Sequence, residues 1–111
     1  MRFTFSNVLI AWVVLVSASY SPAKSSDMNL LGHSFLSACT RADPAWISFC
    51  NGYVQAAFDG APGNSICAPK GTSRTRLVEV ATAVIARDEN LENVNAFSAI
   101  LLALQQAFPC R

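Results

Sequence analysis

Four cysteines, at positions 39, 50, 67 and 110 of a 111-residue chain, constrain this sequence more than any other feature. The last of them stands one residue from the carboxyl end, in "ALQQAFPCR", where chain ends ordinarily fray. What a cysteine does there depends on the compartment, and the other end of the chain bears on that. Arg2 is followed by "VLIAWVVLV", an unbroken apolar run, and then by the small residues Ser17, Ala18 and Ser19. A basic start, a short apolar segment and a small-residue cleavage zone describe a secretory signal peptide. The run is well short of the ~20 residues that a membrane-spanning helix needs. A buried core helix or an uncleaved anchor fits less well, because the polar stretch "SYSPAKSSD" follows at once. Residues 1–23 are therefore expected to be a signal peptide, cleaved near 19–23, and no cysteine in that zone invites lipid attachment. Residues 24–111 are expected to form one exported domain, without a membrane span after cleavage.

In an oxidising compartment an even number of cysteines in a small chain reads as two disulfides. No two of them form a CxxC pair, and His33 is the sole histidine, so the residues point to no zinc or other metal site. The role of Cys110 follows: it pins a chain end that packing alone would leave loose. A processed domain of about 90 residues buries only a modest core, which makes such crosslinks important.

Charge narrows the partners. The chain carries 8 Lys+Arg and 7 Asp+Glu, and removing Arg2 leaves seven of each. A neutral domain whose basic residues are scattered has no electrostatic reason to bind nucleic acid.

Beyond a lead at 20–28, apolar spacing follows three and four rather than two, which predicts an all-α bundle of about four helices. The first is expected over about 29–39, with Leu30, Leu31, Phe35, Leu36 and Cys39 apolar. Asp43 is an N-cap and Pro44 a first helical residue for a second, over about 44–59. Gly52 lies inside that helix at a cost of about 1 kcal/mol against alanine, which suggests a close backbone approach, within the fold or across a dimer. The loop 60–72 is the longest irregular stretch. Thr72 or Ser73 caps a third helix over about 73–87, with Leu77, Val80, Ala81 and Val84 in line, and "RDENLEN" breaks the pattern. A fourth helix over about 92–107 places Val94, Phe97, Leu101, Leu104 and Phe108 on one core-facing stripe, and Pro109 stops it.

Four cysteines allow three pairings. The short link between the third and fourth helices makes them antiparallel, which brings the end of the fourth beside the start of the third. That favours Cys67–Cys110 and leaves Cys39–Cys50 to tie the first two helices together.

No catalytic constellation emerges. His33 is the only available imidazole base and is expected to be exposed and idle. Asp88, Glu89 and Glu92 read as a solvated turn rather than a carboxylate pair for glycoside chemistry. Gly60, Gly63 and Gly71 lack phosphate-loop spacing. The residues themselves describe a stapled, exported helical module without a visible active site, and neither an enzyme activity nor a cofactor is expected.

Three stretches, "FCNGYVQAAFDG", "CAPKGTSRTRLVEVATAVIA" and "ALQQAFPC", resemble the Rap/Tai-type immunity proteins, which protect bacteria against amidase effectors delivered by type VI secretion. The likeness runs from about Phe35 to Cys110. Its marks are the Phe-Cys-x-Gly-Tyr run from Phe49 to Tyr53, a Cys-x-Pro loop and a closing Ala-Phe-Pro-Cys. The resemblance implies a periplasmic, all-helical homodimer that occludes the active site of a cognate peptidoglycan amidase. A periplasmic acid-stress chaperone of the HdeA kind is the rival reading: also small, helical and disulfide-linked, but charging strongly at low pH. The loop 60–72 and the helix start behind it, with Lys70, Thr72, Arg74 and Arg76, are expected to face the partner. Helix two around Asn51, Tyr53 and Gln55 is the alternative surface.

Overall fold

The computed structural model describes residues 30–111; the expected signal peptide, residues 1–23, and the lead at 20–28 lie outside the described residues. Five helices follow one another: α1 (Gly32–Cys39), α2 (Pro44–Asp59), α3 (Arg74–Arg87), the single turn α4 (Glu89–Glu92) and α5 (Ala96–Ala107). No strand occurs among the described residues beyond an isolated antiparallel bridge between Leu31 and Asn95. None of the described helices is long and apolar enough to cross a membrane.

Four of the five helices start where a side chain satisfies one of the first free N–H groups; α1, which follows Leu31, has no such cap. The Asp43 carboxylate accepts from the Ala45 N–H, with Pro44 behind it at the first helical position. Ser73, rather than Thr72, caps α3 by accepting from the Arg76 N–H at 3.1 Å. Asn95 does the same for α5 through the Phe97 N–H. The expected break "RDENLEN" contains its own capped turn, because the Asp88 carboxylate accepts from the Asn90 N–H and starts α4.

The first helix begins at Gly32, three residues later than its apolar spacing suggests. Leu30 and Leu31 are extended instead, tied to the segment before α5. The Gly32 N–H donates to the Val94 carbonyl at 2.9 Å, and the Ala96 N–H donates to the Leu30 carbonyl at 2.6 Å. Backbone pairing here outweighs helical continuation. It also brings Gly32 against α4, where a Cβ would overlap the Leu91 carbonyl oxygen and meet the Glu92 Cα at 3.1 Å.

The core is built around α5, which packs on each of the other four helices. Its buried face is Ala96, Ala99, Ile100, Ala103 and Leu104. This corrects the expected stripe. Leu104 is buried and Leu101 and Phe108 pack at the core margin, but Phe97 is exposed and Val94 precedes the helix on the surface. Three alanines let the surrounding helix backbones come close, so the central face is the small one, and the larger side chains are turned aside. Phe35, Val54, Ala57, Leu77, Ala81, Val84, Ile85 and Leu91 complete the core.

Both disulfides join the expected partners. Cys39–Cys50 fastens α1 to α2, and Cys67–Cys110 fastens the loop before α3 to the chain end after α5. The described chain holds no free thiol.

Gly52 does not serve a close approach within the fold. No atom lies within 4 Å of where its Cβ would stand, and the residue is exposed on the outer face of α2.

Candidate binding surfaces

Residues 60–73 join the end of α2 to the start of α3 through a series of tight turns. The Gly60 N–H closes α2 on the Ala56 carbonyl. The Ser65 N–H and hydroxyl both donate to the Pro62 carbonyl, and Asn64 between them takes a positive φ of 67°. A second turn runs from Pro69 to Thr72. The Thr72 N–H and hydroxyl donate to the Pro69 carbonyl at 3.1 and 2.6 Å. Gly71, its third residue, sits at φ 86°, a conformation that glycine adopts at little cost. Lys70 is thereby held at the tip of the turn. The whole segment is anchored midway by the Cys67–Cys110 disulfide and by the Cys67 N–H donating to the Phe108 carbonyl at 2.8 Å.

The expected partner-facing residues therefore belong to one short, locally ordered stretch. Lys70 and Arg74 are exposed and make no ion pair with any described residue. Thr72 is half-buried, its hydroxyl engaged in the turn. Arg76 reaches Glu79 at 3.4 Å across one turn of α3. With both side chains exposed, that pair holds the guanidinium only weakly.

A second feature lies between α1 and α2. A half-open groove of about 690 Å³ is lined by Leu30, His33, Ser34, Ser37, Ala38, Arg41, Trp46, Phe49 and Tyr53. Its α2 wall is a row of aromatic rings. Trp46 meets Phe49 edge to face at 5.6 Å, Phe49 stacks on Tyr53 at 5.6 Å, and Tyr53 leans on Phe35 at 5.9 Å. Phe35 is fully buried, so the row is rooted in the core at one end and exposed at the other, where Trp46 and Phe49 are 37% and 42% exposed. Partial burial pushes the Tyr53 phenol above its usual range, which keeps it neutral and a hydrogen-bond donor. The Arg41 guanidinium lies over the Trp46 ring, 5.8 Å from its centre.

His33 is not idle. Its Nδ1 lies 3.1 Å from the Glu92 carbonyl oxygen, which can only accept, so Nδ1 carries the proton and ties α1 to α4. Of the alternative helix-two residues, Tyr53 lies in the groove. Asn51 lines a smaller hollow between α2 and α3, and the Gln55 amide donates to Asp59 at 2.7 Å. Trp46, Phe49 and Tyr53 stand at i, i+3 and i+7, which was visible in the sequence. That spacing also describes an ordinary core stripe, and only the fold shows that it faces outward.

Fold and surface together define a class: a disulfide-stapled helical module that carries a tethered basic loop and a preformed aromatic groove. Comparison with known families places it more closely. The family model for Rap1a immunity proteins matches residues 31–110, which takes in every described helix and all four cysteines. The chain belongs to the Rap1a immunity protein family. No curated protein and no solved structure matches it.

Proposed function

We propose that this chain is a periplasmic immunity protein that binds a peptidoglycan-cleaving amidase effector of type VI secretion and occludes its active site, acting by binding and not by catalysis. The family match over residues 31–110 is the observation that carries this reading. In the proposed complex the loop 60–72 and the first turn of α3 face the effector, with Lys70, Thr72, Arg74 and Arg76 as contacts. The physical support is pre-organisation. The loop is closed by a disulfide and two hydrogen-bonded turns, so ordering it on binding costs little entropy. Lys70 and Arg74 are free to meet acidic or carbonyl groups at the rim of a cleft. The reading carries a homodimer, as the resemblance implies. An exposed Gly52 on α2, with nothing near its missing side chain, leaves room there for another backbone.

The test is charge reversal at the loop. Lys70→Glu with Arg74→Glu is expected to weaken inhibition of the cognate amidase by 100-fold or more, with the circular dichroism spectrum unchanged. Each side chain is exposed, so folding should survive. Undiminished inhibition by the folded double variant would remove the loop from the interface.

A further inference from the structure

The aromatic groove shares no residue with the loop, and its chemistry is different. Its lining includes one full cation, Arg41, and no carboxylate. Arg41 makes no ion pair with any described residue, and its guanidinium is held over the Trp46 ring at the exposed end of the aromatic row. The Ser34 and Ser37 hydroxyls, on the α1 wall, make no hydrogen bond to another described residue. The remaining lining is apolar or aromatic. Binding sites have this anatomy: a mostly apolar concavity of a few hundred cubic ångströms with a few polar groups that fix orientation.

Two further observations bear on the occupant. The groove is preformed, because Cys39–Cys50 fastens its two walls together and Phe35 fixes the inner end of the aromatic row. The outer rings, Trp46 and Phe49, line the groove yet stay 37% and 42% exposed, an open aromatic ridge along its α2 wall that favours an extended occupant. An enclosed small molecule would leave that ridge bare; a polypeptide covers it. Aromatic residues and arginine together are the usual anchors of protein interfaces.

We propose that the groove between α1 and α2 is a docking site for a segment of a partner polypeptide, whose large apolar side chain enters beside Trp46, Phe49 and Tyr53 while a neighbouring carboxylate pairs with Arg41. Serine hydroxyls on the opposite wall hydrogen-bond to the segment's carbonyl groups. This inference does not depend on the effector being an amidase, nor on the loop being its contact.

The experiment needs no knowledge of the partner. A phage-displayed library of random 12-residue peptides is selected on the processed, disulfide-bonded protein. In parallel it is selected on Arg41→Glu and on Trp46→Ala/Phe49→Ala, each checked for an unchanged helical spectrum. The expected result is enrichment, on the wild-type chain alone, of peptides with Leu, Phe, Ile or Trp close to Asp or Glu. The synthetic peptides should bind at least tenfold more weakly to Arg41→Glu, which alters an exposed side chain and so keeps the test intact if the aromatic double variant fails to fold. Lys70→Glu should leave their binding unchanged. No enrichment, enrichment without acidic residues, or equal binding to Arg41→Glu would overturn the proposal. So would self-association of the wild-type chain that the aromatic variant abolishes while no peptide is selected, since the groove would then belong to a second copy.

Discussion

Replacing both Cys67 and Cys110 by serine is expected to cost about 4 kcal/mol of stability, the entropy of leaving open a loop whose ends are 43 residues apart. The same change at Cys39 and Cys50, 11 residues apart, is expected to cost about 3 kcal/mol. Small domains are stable by only about 5–15 kcal/mol in total, so either loss is severe and both together should prevent folding. Two physical effects make the first pair the more important. It closes the longer loop, and it anchors the segment that presents Lys70 to the chain end at Cys110. Urea unfolding of the two double variants gives the comparison. A loss below 1 kcal/mol at Cys67–Cys110, or a clearly larger loss at Cys39–Cys50, would show that packing of α5 and not the staple holds the chain end.

Gly32→Ala is expected to be the most damaging single substitution outside the cysteines. The added methyl would occupy the place of the Leu91 carbonyl oxygen, and the obstacle is backbone on both sides, with Glu92 Cα at 3.1 Å. A flexible side chain could swing away; a carbonyl fixed in α4 cannot. Relief requires α1 to move off α4, which breaks the Gly32-to-Val94 hydrogen bond and the His33-to-Glu92 contact together. Overpacking of this kind costs about 3 kcal/mol, or more than 10 °C in melting temperature for a domain of this size. Gly52→Ala is the matched control. Within one chain it lies in a helix with open space around it, so at concentrations where the protein is monomeric it should be neutral or raise stability by up to about 1 kcal/mol. Thermal melts of the two variants decide the matter, and a Gly32→Ala protein as stable as wild type would refute the close packing of α1 on α4.

Local chemistry was the legible part of this sequence. Asp43 and Pro44 mark the start of α2, Ser73 that of α3 and Pro109 the end of α5, because capping and chain stopping are decided within four residues. The disulfide pairing was legible for a related reason. A short link makes neighbouring helices antiparallel, and that alone puts Cys67 beside Cys110.

What was not legible depends on distant parts of the chain. Leu30 and Leu31 read as helical, yet pair with residues 94–96, some 65 positions away, through backbone atoms that carry no side-chain signature. On α5 the bulky residues formed the more conspicuous stripe, but the helix at the centre of a small bundle buries its alanines. Gly52 suggested close packing that the fold does not use. The groove was hidden in plain view, since Trp46, Phe49 and Tyr53 look the same in sequence whether they line a core or a surface. Their exposure follows from α2 burying another face, that of Cys50, Val54 and Ala57.

Membership of the Rap1a immunity protein family makes protection the property to measure. A cognate effector of the proposed kind, a peptidoglycan amidase, is directed to the periplasm of a susceptible bacterium, with and without co-expression of the full chain. Growth should be restored by the wild-type chain and lost again when its first 23 residues are deleted, which would confine it to the cytoplasm. Lysis that proceeds equally with and without the exported chain, although the folded protein is present in the periplasm, would contradict the account.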